Sequence, residues 1–176
     1  MAITLRAAAV AVWGKEVVDW MDEINPIGEE TTENVARLNR LTEGITEVDG
    51  LALNFKVYHV VDVNAFACGD GSIRVFSALM DVMDDDELMA IIGHEIGHVV
   101  NTDVKDAMKN AYMASAAKNA AGAAGGTVGK LTEGELGALA GAFLDAQFSQ
   151  KQEYAADDYG FNFNVQHGFS PYGMAN

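Results

Sequence analysis

Apolar residues recur along this chain with two different periods, and the places where the period changes divide it into elements. Val10, Trp13, Val17, Trp20 and Met21 are spaced by three and four, which describes one face of an amphipathic helix. Asn25-Pro26-Ile27-Gly28 breaks that pattern, and Glu33 to Thr42 resumes it through Val35, Leu38 and Leu41. After the turn signal Asp49-Gly50 the period becomes two: Leu51, Leu53, Phe55 and Val57 alternate with Ala52, Asn54, Lys56 and Tyr58. This predicts a half-buried strand running on through Val60-Val61 toward Asn64. Gly69-Asp70-Gly71 predicts a turn, and Ile73 to Phe76 a second strand beside the first.

Helix is predicted for most of the remainder. Asp84 stands as N-cap with Glu87 three residues on, a capping box that starts a helix from about Asp85 to Val100. A polar break at Asn101-Thr102-Asp103 leads to a further helix, roughly Val104 to Ala120. The Gly-rich stretch Ala121 to Gly129 is expected to be a flexible connection. Thr132-Glu133 opens a last long helix that carries Leu144, Phe148, Glu153 and Asp157. No internal repeat is visible, and residues 1–176 are expected to form one domain. The fold class is α+β, mostly helical, with a small sheet from about Leu51 to Phe76 packed on the helix that begins at Asp85.

Composition narrows the field of functions. Hydrophobic residues make up 49% of the chain, enough for a real core. The formal charge of −15 argues against nucleic acid and against docking on an anionic membrane surface, both of which need clustered Lys and Arg. The single cysteine, Cys68, rules out an internal disulfide framework. The first fourteen residues faintly resemble a signal peptide, but their apolar spacing continues beyond them and is better explained by a helix. No apolar run is long enough to span a bilayer, so no transmembrane segment is expected, the chain as given should be soluble, and any membrane anchor of a full-length protein would lie outside it.

The chemistry concentrates in His94-Glu95-Ile96-Gly97-His98, an H-E-x-x-H motif inside a segment read as helix on other grounds. Positions four apart lie one turn apart on one face, so both imidazoles can reach the same ion, while Glu95 stands beside it without having to bind. The motif arises by chance in roughly one shuffle in two hundred of such a composition, so its context must decide. On the helical wheel Leu88, Ile92, Ile96 and Val99 form one stripe, and His94 and His98 point well away from it. A catalytic zinc site needs a third protein ligand and an open position. The last helix offers Glu153 as that ligand. Asp157, one turn later, can accept a hydrogen bond from a ligand imidazole and orient it. Zinc is expected from the ligand types, although other divalent ions suit such a site. Glu95 would then take a proton from water and return it to the leaving amine. An oxyanion donor could come from Tyr154, Tyr159, His167 or Tyr172.

Leu53 to His98 and Phe148 to Tyr159 (FSQKQEYAADDY) resemble the HtpX-type gluzincin peptidase family, and within it the cell-envelope lipoprotein members; the resemblance extends over about residues 30 to 172. It implies a zincin-like fold with His94, His98 and Glu153 as zinc ligands, Glu95 as the catalytic glutamate and Asp157 as the aspartate of E-x-x-A-D. It implies too that Asn64, Ala65, Phe66 and Ala67 form the rim strand whose backbone pairs with an extended polypeptide substrate. The expected activity is endopeptidase hydrolysis of extended or misfolded protein, in the periplasm or at the outer membrane. The sequence departs from the family in having Gln150 after Ser149, where many members carry Arg. The family usually continues past Ser170-Pro171 through another helix, so a C-terminal truncation is expected, with exposed apolar surface and self-association as consequences.

Blander readings compete for several residues. His59 falls on the apolar parity of its strand and reads as a satisfied structural histidine. His167 reads as solvated, and Cys68 as an inert small residue near the expected metal site rather than a ligand. Against the peptidase stands a rival from another class, a zinc-site module impaired in catalysis that binds polypeptide in a chaperone-like way. Gln150 and the expected truncation favour that rival.

Overall fold

The computed structural model describes residues 14–29, 32–119 and 131–173. Trp13, the segment before it and the Gly-rich stretch at 121–129 lie outside the described residues. A first helix, α1 (14–24), buries Val17, Val18 and Met21. It ends at Asn25, where Pro26 and the following residues run beside a strand: Gly28 N–H donates to Val57 O (2.9 Å) and His59 N–H to Pro26 O (2.7 Å). Helix α2 (Glu33–Leu41) buries Leu38 and Leu41. Arg37 on its outer side donates to Met80 O, Met83 O and Asp85 Oδ1, and so ties α2 to the segment at 80–85.

The long strand predicted from Leu51 toward Asn64 is two separate pieces that end at Tyr58. Asp49 and Gly50 have φ of 48° and 78°, the paired positive φ of a tight hairpin. Strand β2 (Leu51–Ala52) therefore folds back antiparallel on β1 (Glu47–Val48). The chain then leaves that hairpin, and β3 (Asn54–Tyr58) pairs in parallel with β5 (Ser72–Phe76). Residues 61–63 are exposed, with Val61 at 93%, before β4 (Ala65–Ala67) turns back antiparallel to β5. The sheet order is β3-β5-β4, so β5 is central and every one of its residues is buried. The alternation of apolar residues runs without interruption from Leu51 to Val57, which is why the break between β2 and β3 does not show in the pattern. His59 lies just past the end of β3 and is exposed, so its apolar parity does not translate into a core position.

Gly71, at φ 89°, lets β5 begin where it does: a Cβ there would run into the backbone carbonyl of Ala52. Strand β5 passes directly into α3 (Ser77–Val82) and then α4 (Asp85–Val100). Helices α5 (Asp103–Asn119), α6 (Glu133–Leu144) and α7 (Gln150–His167) complete an α+β arrangement that is mostly helical with two small sheets. The single last helix expected from Thr132 onward is α6 and α7, separated at residues 145–149. No glycine or proline marks that break. Ser149 does: its side chain caps Gln152 N–H while the Gln152 side chain caps Ser149 N–H, which starts a new helix. No helix among the described residues is long and apolar enough to cross a membrane.

Candidate metal centre

Helix α4 starts at the capping box read from the sequence, with Glu87 N–H donating to Asp84 Oδ1 and Asp84 N–H to Glu87 Oε2, each at 2.9 Å. Leu88, Ile92 and Ile96 are fully buried and Val99 nearly so, which fixes the helix about its axis against the core. His94 and His98 consequently face α7 rather than the sheet. The two helices meet through small residues. A Cβ on Gly160 would stand 3.0 Å from the His94 backbone N, and one on Gly97 3.0 Å from Ala156 Cα. Backbones in such close register place side chains on facing turns within reach of one another.

Four of the expected site residues converge across this seam. Asp157 Oδ1 lies 2.8 Å from His94 Nδ1. A carboxylate only accepts, so this bond puts the hydrogen on Nδ1 and leaves the Nε2 lone pair free in the neutral ring. On the second imidazole the Nδ1 partner is Asp103 Oδ2, at 2.9 Å, with the same consequence. The two Nε2 atoms then face each other at 3.1 Å, and Glu153 Oε2 completes the triangle at 3.4 Å from His94 Nε2 and 3.9 Å from His98 Nε2. Three acceptors pointed at one space call for a cation. Ligands held about 2.0–2.2 Å from a tetrahedral ion stand about 3.3–3.6 Å apart, close to the separations found. His94, His98 and Glu153 are the described residues that could hold a metal ion in this way.

Glu95 keeps part of its surface open to a cleft of about 150 Å³ that it shares with Asn64, Ala65, Phe66, Ala67, Val104, Phe143 and Phe148. Protein surrounds its carboxyl closely: burial pushes it up to about 8, the Ala67 backbone hydrogen bond pulls the other way, and the Glu153 charge adds to the rise. The expected rim residues border the same cleft. In the ladder with β5, Phe76 N–H donates to Asn64 O and Cys68 N–H to Ser72 O. The intervening Ala65 and Ala67 therefore turn their backbone groups to the outer edge of the sheet. Ala65, Phe66 and Ala67 are themselves buried, so the edge lies within the cleft and not on an open ledge.

Other sequence expectations meet different surroundings. Tyr154 and Tyr172 are exposed, Tyr159 stacks on Phe163, and His167 Nδ1 bonds Phe163 O at 2.8 Å. His167 also sits four turns along α7 from Glu153, roughly 20 Å away along the axis. Cys68 is fully buried beside β4, where burial pushes its thiol up, in keeping with an inert role. Three neighbours of the histidines carry no sign of that role in the sequence. Asp103 reads there as part of a polar break, yet Thr102 at φ 68° turns the chain so that the first residue of α5 returns beneath His98. Gln152 reaches Asp103, and Phe148 stacks on the His98 ring with centroids 4.1 Å apart. Nothing in the sequence flags Asp103, because its burial at the start of α5 exists only once the chain has folded.

The sequence pattern of Peptidase family M48 matches residues 33–176. Metalloprotease LoiP of Escherichia coli strain K12 is 41% identical over 175 residues, covering 99% of this chain and 69% of the relative. Metalloprotease YcaL of the same strain is 34% identical over 174 residues, covering 98% and 68%. Protease HtpX of Actinobacillus pleuropneumoniae serotype 5b is 42% identical over a shorter stretch of 52 residues, or 27% of this chain and 18% of the relative. This chain belongs to peptidase family M48, and a metal cofactor goes with that class of metalloprotease.

Proposed function

We propose that this chain is a zinc-dependent endopeptidase of the gluzincin type that hydrolyses extended or misfolded polypeptide. The observation that carries the reading is the convergence of three lone-pair donors, His94 Nε2, His98 Nε2 and Glu153 Oε2, with their ligand atoms all within 4.8 Å of one another. Zinc in such a site polarises a scissile carbonyl and acidifies water. Asp157 holds the His94 ring in the tautomer that presents Nε2. Glu95, partly open to the cleft and next in sequence to His94, accepts a proton from the attacking water and hands it to the departing amine. The rim from Asn64 to Ala67 offers the outward carbonyls of Ala65 and Ala67 to an extended chain, and Phe66, Val104, Phe143 and Phe148 supply apolar walls. Folding of these parts on a sheet and the α4 helix is what the zincin-like architecture requires. A periplasmic or outer-membrane-associated place of action, in quality control of envelope proteins, rests on the family resemblance.

The deciding experiment measures bound zinc together with hydrolysis of an unfolded protein by the chain, its chelated form and Glu95→Gln. Near-stoichiometric zinc in the wild type and in Glu95→Gln is expected, with hydrolysis lost on chelation and reduced by a factor of about 10² to 10⁴ in the variant. Zinc without hydrolysis in the wild type would leave the chaperone-like module as the better reading. A protein that takes up no zinc would overturn the metal centre itself.

A further inference from the structure

The carboxamide of Gln152 occupies two networks at once. Its Oε1 accepts from Ser149 N–H at 2.9 Å and from Ser149 Oγ–H at 2.8 Å, closing the cap of α7. Two donors on one side fix which end of the amide is oxygen. Its Nε2 therefore points the other way, and it donates to Asp103 Oδ1 at 2.9 Å. The other oxygen of that carboxylate, Oδ2, meets His98 Nδ1 at 2.9 Å. Asp103 is nearly enclosed, its side chain 7% exposed, and the His98 side chain is 2% exposed, so water competes little for either bond. A continuous chain of hydrogen bonds thus runs from the first turn of α7 through the first residue of α5 to an imidazole on α4.

We infer that Gln152 and Asp103 are a positioning pair for His98, and that the site requires a carboxamide, not a carboxylate, at position 152. This rests on the metal-centre reading above. The choice turns on donors and acceptors. Gln and Glu serve equally as the third residue of a capping box, since either can accept from the cap. Only Gln can also donate to Asp103. A Glu there would set two carboxylates against each other in an enclosed place, and Asp103 would turn from His98. That movement loosens the ring and weakens the hold on its Nδ1 hydrogen, and partners of this kind are worth about 10- to 100-fold in metal affinity. Asp103→Asn fails in a related way. Its single oxygen can serve His98, but its amide then faces the Gln152 amide, donor against donor.

The two changes together restore the sequence of donors: the new asparagine would accept from His98 with its oxygen and donate with its amide to the new carboxylate on α7. That exchange is the test. Zinc affinity is measured by competition with a chromophoric chelator for the wild type, Gln152→Glu, Asp103→Asn and the double exchange. The absorption spectrum of the cobalt-loaded forms reports ligand geometry, and thermal unfolding of the metal-free forms reports the fold. We expect each single variant to bind zinc about 10- to 100-fold more weakly, with an altered cobalt spectrum and a metal-free form that still unfolds in one cooperative transition at a lowered temperature. The double exchange should bind more tightly than either single variant. Gln152→Met, which removes the donor without adding charge, should show a similar loss and covers the case in which Gln152→Glu does not fold. Zinc affinity unchanged in both Gln152 variants, or losses that merely add in the double exchange, would overturn the pairing while leaving the metal centre standing. A wild type without zinc affinity would instead remove the reading on which it rests.

Discussion

Asp157 and Asp103 each hold the Nδ1 hydrogen of one imidazole, but they reach their partners by different routes. Asp157 stands one helical turn beyond Glu153 on a regular helix, so periodicity places it near whatever Glu153 meets. The motif residues are legible for the same reason, since His94 and His98 are related by one turn of α4. Asp103 and Gln152 depend instead on a turn with a positive φ and on a helix cap, and they meet across a sequence separation of 49. No local pattern encodes such a meeting. At this scale the expectation is that Asp157→Asn retains the fold and lowers zinc affinity by about tenfold or more, because the ring loses a charged acceptor on Nδ1. Titration of the metal-free variant with zinc, followed by chelator competition, checks it. Glu153→Gln should lose most of its bound zinc, since a neutral amide oxygen is a poor substitute for a carboxylate ligand; metal analysis after gel filtration reads this directly.

The α4–α7 seam is the element on which the site depends, and it is built from absence of side chain. Gly93, Gly97, Ala156 and Gly160 let the two backbones approach until a methyl group has no room. Gly160→Ala brings a gain in helix propensity of up to about 1 kcal/mol, but its Cβ would stand 3.0 Å from the His94 backbone N and 3.2 Å from Ala90 O. Backbone cannot step aside as a side chain does, so overpacking of about 1–3 kcal/mol should outweigh the gain. The outcome expected is a lower unfolding temperature together with weaker zinc binding, as the turn bearing Glu153 is pushed from the histidines. Calorimetry with and without metal separates the two effects. The extent of α4 and its cap were readable from Asp84 and Glu87, as was the helical character of α6 and α7. The break between those two was not, because apolar spacing continues across residues 145–149 and the only marker is the Ser149–Gln152 box. Ser149→Ala should cost about 1 kcal/mol through that cap, measured as a shift in the denaturant midpoint.

Over the whole molecule, the N-terminal helix is joined to the sheet by one enclosed cluster of charge. Arg74, 2% exposed in the middle strand, donates to both oxygens of Asp22 from Nε (2.8 Å) and Nη2 (2.9 Å). Lys56 Nζ and the Tyr58 hydroxyl donate to the same carboxylate, each at 2.6 Å. Burial by itself would raise the Asp22 carboxyl, but Arg74, Lys56 and Tyr58 together hold it down to about 2 against an ordinary value of 3.8. A carboxyl lowered on folding stabilises the native state above its unfolded value, and that contribution fades as the pH falls through the folded one. The cluster should therefore contribute up to about 2 kcal/mol above pH ~4, and that contribution should fade as the pH falls through about 2 and vanish only below it. The difference in unfolding free energy between wild type and Asp22→Asn, followed from pH 7 downward, should be widest at neutral pH and shrink over that interval. A difference that stays constant with pH would mean the cluster acts through shape and not charge. A charge at position 74, between Ile73 and Val75, gave no hint in the sequence of its partner 52 residues earlier.

Strand β4 has a bearing on how this molecule survives its own surroundings. Under the proposed function, the sheet edge at β4 would meet material that is itself prone to aggregate. Here that edge is three residues long, and its first outward N–H already bonds the Asn64 side chain at 2.9 Å. A stray strand arriving there gains only a few ladder bonds before the sheet runs out. Contacts of that kind give a second strand little to add to, so an edge this short would be a poor seed for a fibril.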